Sequence, residues 1–303
     1  MRYFFIIPAA AFFVSNANAS NSLDSIFFIP KSKEVISETS YNYSDATYKD
    51  DFNDKQELRI QTLKERVSYG ITDKLYTNLE ISYIDSNQKD ISSTTDRFTE
   101  TVNNGVSNPE LSVGYRFADN DNNGFFSDLE LSYAPNIINS KIGDYPKGGN
   151  VASGRSEYEI AGSYGMLFDK VSFKVDASAR YLDDAKIELM SDHTYEKIDS
   201  SIDTEFGITG QYKFNQNLSL NASLSQLLRG SYKVNKIDKV QGQDEIKLGT
   251  RLNYSIVPDK ALVSVAYNYI TVEDVYYTDS TEAAVTSSDR ERDEIEISFR
   301  YKF

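Results

Sequence analysis

Apolar and polar residues alternate along most of this 303-residue chain, in successive segments separated by turns. The last segment shows the pattern plainly: Ile295, Ile297, Phe299, Tyr301 and Phe303 alternate with polar or charged residues. Neighbouring side chains of a β-strand point to opposite faces, so this pattern predicts a strand with one apolar face. Its repetition predicts an all-β fold in which each strand contacts an apolar environment on one side only.

The alternating segments are about twelve in number, the range of a mid-sized barrel. The clearest apolar rows are Leu75, Thr77, Leu79, Ile81 and Tyr83; Leu111, Val113, Tyr115 and Phe117; Leu129, Leu131 and Tyr133; Val171, Phe173 and Val175; Leu218, Leu220, Ala222 and Leu224; Ile246, Leu248, Leu252 and Tyr254; and Val263, Val265, Tyr267 and Tyr269. In the second segment the apolar row changes phase near Thr62 and Leu63, which predicts a β-bulge there.

Segment length indicates which apolar environment the strands meet. The segments run roughly ten to sixteen residues, longer than the ~5–6 usual in soluble sheets and sufficient for the ~9–11 of a tilted membrane strand. Mean hydropathy is only −0.49. A membrane barrel directs half of each strand into a polar lumen and therefore has no continuous apolar run. The segments favour membrane strands, with a soluble β-protein as the alternative.

The connections alternate between short and long, which is the loop pattern of outer-membrane barrels. The short ones span residues 70–74, 118–124, 168–170, 215–217 and 257–260, and longer polar stretches such as 85–104, 136–153 and 279–290 lie between them. Aromatic residues cluster near both ends of the segments, as expected at two bilayer interfaces. The sequence predicts a transmembrane antiparallel up-and-down β-barrel of about 12 strands, with both chain ends on the periplasmic side.

The amino-terminal residues have the features of an export signal. Met1 and Arg2 precede an apolar run from Tyr3 to Val14, and Ala17-Asn18-Ala19 is a small-x-small cleavage site. We expect residues 1–19 to be a signal peptide, with a retained anchor as the alternative. Residues 20–32 are expected to form a periplasmic segment or to enter the lumen as a plug. Residues 33–303 then form the barrel, located in the outer membrane.

One stretch of the chain resembles a known family. Residues 67–83, VSYGITDKLYTNLEISY, are followed at 105–117 by GVSNPELSVGYRF. This stretch resembles outer-membrane barrels of the transporter type that are assigned to the MetA pathway of phenol degradation. Those proteins share a tyrosine-glycine-loop-aspartate-lysine hairpin and a strand opening on glycine-x-x-asparagine-proline. The resemblance implies an outer-membrane barrel with a transport role; beyond residues 67–117 it extends only to the strand rhythm.

Composition and motifs bear on the chemistry of the chain. The formal net charge of −14, with a pI near 4.6, argues against nucleic acid as a partner. Neither zinc-ligand spacing, nor an EF-hand loop, nor a phosphate-binding glycine loop is present, so no metal or cofactor is expected. His193 is the only histidine, and it lacks the surrounding motif of a lipid-facing hydrolase. We expect a protein without catalytic activity.

The inward rows carry the candidate site. The expected lumen-lining residues at mid-height are Glu38, Glu80, Glu110 and Glu130 from the early strands and Arg180, Arg229, Lys247 and Arg251 from later ones. Separated acidic and basic arcs would create a field across a narrow pore. Alternatively, neighbouring groups such as Lys64 and Arg66 beside Glu38 and Glu80 form ion pairs that fill the barrel.

These features together predict an outer-membrane channel for passive passage of small solutes. Two alternatives remain open: a non-conducting surface or structural barrel, and a lipid-facing hydrolase. The expected partners are outer-membrane lipids and lipopolysaccharide, a small-molecule solute, and the barrel-assembly machinery, which would engage the carboxy-terminal strand ending at Phe303.

Overall fold

The structure is a computed structural model. It describes residues 22–49, 55–91, 98–120, 124–138, 140–142, 151, 153–189, 194–234, 238–240, 244–273, 275–278, 284–287 and 290–303. The predicted signal peptide at residues 1–19 and the histidine at position 193 lie outside the described residues. No helix within these ranges is long and apolar enough to cross a membrane.

All of the regular secondary structure in the described ranges is β-strand. The strands are β1 (Val35–Lys49), β2 (Lys55–Gly70), β3 (Leu75–Ile91), β4 (Phe98–Val106), β5 (Glu110–Asn120), β6 (Phe125–Ala134), β7 (Ser140–Ile142), β8 (Glu157–Phe168), β9 (Val171–Leu182), β10 (Ala185–Leu189), β11 (Thr194–Ile198), β12 (Ser201–Lys213), β13 (Leu218–Leu228), β14 (Tyr232–Val234), β15 (Asp238–Val240), β16 (Glu245–Val257), β17 (Ala261–Val272), β18 (Val275–Thr278), β19 (Ala284–Ser287) and β20 (Arg290–Lys302).

Twelve of these strands close into one antiparallel barrel. Starting from β1, the ring runs through β2, β3, β5, β6, β8, β9, β12, β13, β16, β17 and β20, and β20 pairs with β1. Every ring neighbour is antiparallel. Closure leaves no exposed sheet edge around this ring, which is how a β-structure can satisfy its backbone within lipid. The predicted fold class and strand number are confirmed.

Residue alternation assigns each side chain to the lumen or to the outer surface. Apolar side chains face outward and remain exposed along every barrel strand, among them Leu63, Leu79, Leu111, Leu131, Ile160, Val175, Ile208, Leu224, Leu248, Val265 and Ile297. Exposed rings border this surface, with Tyr69, Phe117, Phe173 and Phe214 at the short-turn end and Tyr83, Tyr133, Tyr158 and Tyr181 at the long-loop end. An outer apolar band with aromatic borders is the surface that a bilayer requires.

The β-bulge predicted near Thr62 and Leu63 is wrong. The register of β2 with both β1 and β3 is continuous through these residues. The apparent phase change has another cause. Leu58 and Ile60 face inward in the long-loop half of β2, and the outward-facing residues there, Arg59 and Gln61, are polar. The register irregularities instead lie at Arg116/Ala118 and Ser255/Val257, close to the short turns.

A second sheet extends the barrel at its long-loop end. Its strands follow the order β19, β18, β15, β14, β11, β10 and β7. Each of β10, β14 and β18 continues a barrel strand after a break of two or three residues, as at Asp183–Asp184 between β9 and β10. The hairpins therefore project beyond the apolar band, and the long connections are partly folded.

Candidate functional site

A cavity of about 760 Å³ occupies the barrel lumen. Inward side chains of β1, β2, β3, β6, β8, β9, β12, β13, β16, β17 and β20 line its wall. Residues Leu23 to Pro30, which precede the first strand, close it toward the short-turn end. The cavity is thus enclosed laterally by the barrel wall and at one end by the chain's own amino-terminal segment.

Long charged side chains line one half of the cavity. On β1 and β20, Glu38 accepts hydrogen bonds from Arg300 at 2.8 and 3.0 Å. On β16 and β20, Arg251 lies 2.8 Å from Glu296. Lys64 and Arg66 of β2 also face this half. Because most of these groups are held by opposite charges on the same or nearby strands, they form an ion-paired lining on this side of the lumen.

Small residues line the opposite half. They are Ala161, Gly162, Ser163, Ala177, Ser178, Gly207, Thr209, Ser223 and Ser225, on β8, β9, β12 and β13. A Cβ atom added at Gly207 would come no closer than 3.6 Å to any neighbouring heavy atom, so the missing side chain leaves space there. The short side chains bring the cavity close to the strand backbone. The lining of β8 to β13 therefore combines these short side chains with the charged Glu159, Lys174, Asp176 and Glu205.

The structure brings seven of the eight predicted lumen residues into ion pairs. The shortest distances are Glu38–Arg300 2.8 Å, Glu80–Arg66 2.6 Å, Arg180–Glu159 2.5 Å, Arg180–Glu110 4.0 Å, Arg229–Glu245 2.6 Å, Lys247–Glu294 3.0 Å and Arg251–Glu296 2.8 Å. Glu130 instead accepts a hydrogen bond from the Tyr76 hydroxyl at 3.1 Å. Glu38, Glu130, Lys247 and Arg251 line the cavity itself. Pairing of opposite charges from different strands reduces the transverse field that separated arcs would produce.

The sequence analysis did not identify several of the residues that form ion pairs in the lumen. Arg300, Glu294 and Glu296 all lie on the inward row of β20, and Arg116 forms a two-point ion pair with Asp128 at 2.7 and 3.0 Å. The alternation of apolar and polar residues shows that these side chains face the lumen. It does not show which of them form pairs, because pairing depends on which residues the strand register places side by side.

One carboxylate in the cavity stands apart from the ion pairs. Glu205 of β12 faces the cavity beside Gly207, in register with Ser178 of β9. Within the described ranges it has no cationic partner. The same ranges contain no group of three or more His, Cys, Asp or Glu side chains placed to hold a metal ion.

A closed ring of twelve antiparallel strands, apolar outside and polar inside, with short turns at one end, defines the outer-membrane β-barrel class. No protein-family model matches the chain, and no curated protein matches its sequence.

Solved structures show the same fold. An outer membrane channel from Pseudomonas putida F1 is similar with a TM-score of 0.64 and 13% identity, over 92% of this chain and 98% of that one. The transport unit of the autotransporter AIDA-I from Escherichia coli has a TM-score of 0.55 and 11% identity, over 95% of each chain. The translocator domain of the autotransporter NalP from Neisseria meningitidis has a TM-score of 0.50 and 10% identity, over 90% of each chain. These similarities establish the fold.

Proposed function

We propose that this protein is an outer-membrane channel through which small hydrophilic solutes diffuse down their gradients. The observation that carries the proposal is the cavity of about 760 Å³ inside the closed barrel, which is lined by charged, hydroxyl and amide groups. The fold shared with an outer membrane channel from Pseudomonas putida F1 supports it. The proposal assigns no catalytic role to the chain.

The lining favours cationic over anionic solutes. Eight carboxylates line the cavity, namely Asp24, Glu38, Asp128, Glu130, Glu159, Asp176, Glu205 and Glu296, against six cationic groups, namely Lys64, Arg66, Lys174, Lys247, Arg251 and Arg300. Six of these carboxylates form ion pairs, whereas Glu130 and Glu205 form none with the residues that the structure describes. A low-dielectric wall concentrates the field of such charges in the pore. We propose that the channel prefers small polar solutes that carry a positive charge.

Reconstitution into planar bilayers tests this function. We expect discrete conductance steps and a reversal potential, in a KCl gradient, that indicates a preference for K⁺ over Cl⁻. Replacing Glu130 and Glu205 together by glutamine should reduce that preference, because it removes the two cavity carboxylates that form no ion pair with any residue of the described ranges.

The matched control is Glu57→Gln, which changes a carboxylate at the long-loop end of β2, on the outer row and paired with Lys55. This substitution should leave the reversal potential unchanged. A folded protein without conductance steps in any variant, including one that lacks residues 22–30, would contradict the channel function. It would favour the second candidate, a non-conducting barrel. That candidate is supported by one observation: residues Leu23 to Pro30 occupy the end of the cavity.

We propose that the barrel lies in the outer membrane with its short-turn end toward the periplasm. The exposed apolar band would contact the lipid chains, and the long-loop end would contact lipopolysaccharide. Strand β20 follows the other barrel strands in the chain and pairs with β1 on one side and with β17 on the other. It is therefore the strand whose pairing closes the ring, which supports its recognition by the barrel-assembly machinery.

A further inference from the structure

The amino-terminal segment Ser22–Pro30 is bound inside the short-turn mouth of the barrel by donors from three separate strands. Arg116 of β5 donates to the carbonyl oxygen of Phe27 at 2.5 Å. Gln211 of β12 donates to the carbonyl of Asp24 at 2.5 Å, and Arg300 of β20 donates to the carbonyl of Leu23 at 2.7 Å. The donors approach from different sides of the ring, so they position the segment across the mouth.

Two apolar pockets in the barrel wall receive side chains of this segment. Phe27 stacks on Phe126 with ring centroids 4.6 Å apart and packs against Leu167. Leu23 packs against Ile36 and Leu262. Phe126, Leu167, Ile36 and Leu262 are inward-facing residues of four different strands, at the short-turn end of a lumen that is otherwise polar at that level. Without the segment, these apolar side chains would face the aqueous lumen.

The barrel wall is shaped to admit the aromatic ring. A Cβ atom added at Gly165 of β8 would meet the ring of Phe27 as well as the backbone of β9. On the other side of the mouth, Lys213 lies 3.3 Å from the buried carboxylate of Asp24 and donates to the hydroxyl of Ser22 at 2.6 Å. Apolar packing, hydrogen bonds to its backbone carbonyls and an ion pair thus all bind this one stretch of chain to the barrel wall.

The segment is held by side chains and does not join the sheet. Its own backbone hydrogen bonds are local, from Ser25 to Ser22 and from Phe28 to Ser25. The connection to β1 is a tight turn: Lys33 has a positive φ of 67°, and its amide donates to the carbonyl of Gly70 at 2.7 Å. The turn fixes the point of attachment, while side chains of Arg116, Gln211, Lys213 and Arg300 hold residues 22–30 against the wall.

We propose that residues 22–30 form a plug that closes the short-turn mouth and leaves it as a unit when solute passes. Side-chain contacts can break without disrupting any barrel strand, whereas a segment paired into the sheet would have to break a ladder of backbone hydrogen bonds. This proposal rests on the channel function proposed above, because the plug regulates passage of solute through the same lumen.

Deletion of residues 22–30 from the exported protein tests the plug in planar bilayers. The folded deletion variant should spend at least about tenfold more time conducting than the full chain, which corresponds to about 1.4 kcal/mol. The point variants Phe27→Ala and Phe126→Ala should act in the same direction, because each removes one ring of the stacked pair. These variants keep the test valid if the deletion prevents folding.

The matched control is Phe125→Ala, which removes the adjacent ring of β6 on the outer side of the wall, where it stacks with Tyr164. This variant should conduct as the full chain does. Equal conductance of the full chain, the deletion variant and Phe27→Ala would overturn the plug while leaving the channel function intact.

A second readout separates failure of the plug from failure of the channel. The chain contains no cysteine, so Ser25→Cys introduces a single thiol that a membrane-impermeant maleimide can label. Ser25 is buried in the segment, and its replacement keeps the Phe27 ring in place. We expect this thiol to react at least about tenfold more slowly than the thiol of Ile137→Cys at an exposed site. If no variant conducts, slow labelling still supports the closed mouth and only the channel function is rejected. Equally fast labelling would overturn the plug.

Discussion

Replacing Leu224 by arginine is expected to lower the free energy of unfolding of the barrel in lipid vesicles by about 2–4 kcal/mol. Leu224 lies near the middle of β13, and the residue is 50% exposed, on the outside of the barrel. An arginine at this height must place its guanidinium in the hydrocarbon core of the bilayer or distort the bilayer to reach the interface. The cost should decrease for positions closer to either aromatic border.

The matched control is Ser223→Arg, one residue earlier on the same strand. Ser223 faces the cavity, so its replacement adds charge to the lumen and should change ion selectivity far more than stability. Denaturant titration in vesicles, followed by tyrosine fluorescence, gives both free energies, because the chain has 22 tyrosines and no tryptophan. Equal destabilisation by the two variants, or a Leu224→Arg protein that is stable and monodisperse without detergent, would contradict a lipid-facing outer row.

The second large effect concerns the ion pair between Arg116 and Asp128. Asp128→Ala is expected to cost about 3–5 kcal/mol of unfolding free energy, because it leaves a buried guanidinium without its counter-ion. Only 3% of the Arg116 side chain and 14% of the Asp128 side chain are exposed, and two hydrogen bonds join the groups at 2.7 and 3.0 Å. The loss should appear in the same vesicle unfolding assay.

Two comparisons test the cause of that loss. Glu57→Ala breaks the ion pair between Lys55 and Glu57, whose side chains are 40% and 41% exposed. It should lower the free energy of unfolding by less than about 1 kcal/mol. The double variant Arg116→Met/Asp128→Leu should recover most of the stability lost in Asp128→Ala, since both charges are removed together. If Asp128→Ala costs no more than Glu57→Ala, the pair is not the buried contact that the structure shows.

The barrel wall could be predicted from the sequence because its physical determinant is local. Whether a side chain faces lipid or lumen follows from its position in a strand, and strand direction alternates at each turn. The rows built on Leu79, Val113, Leu248 and Val265 therefore lie on the outer surface as expected. The error at Thr62 and Leu63 has the same origin: local pattern does not reveal how far a strand extends beyond the bilayer, where both faces become polar.

The pairing of the lumen charges could not be predicted in this way. Glu38 and Arg300 are 262 residues apart and meet only because β1 pairs with β20 when the ring closes. A shift of the register by two residues would keep both side chains in the lumen and separate them. The sequence indicated which charges face inward, but not which of them neutralise one another.

The alternating sequence by itself determined the all-β class, the approximate number of strands and the face of each strand, because these depend on a two-residue period and on turns between neighbours. Only the tertiary structure decided the pairing of charges, the residues that line the cavity and the location of residues 22–30 within the mouth. These depend on contacts between segments far apart in the chain, such as Phe27 with Phe126 and Leu23 with Leu262. Such contacts exist only after the ring has closed, and no local pattern encodes them.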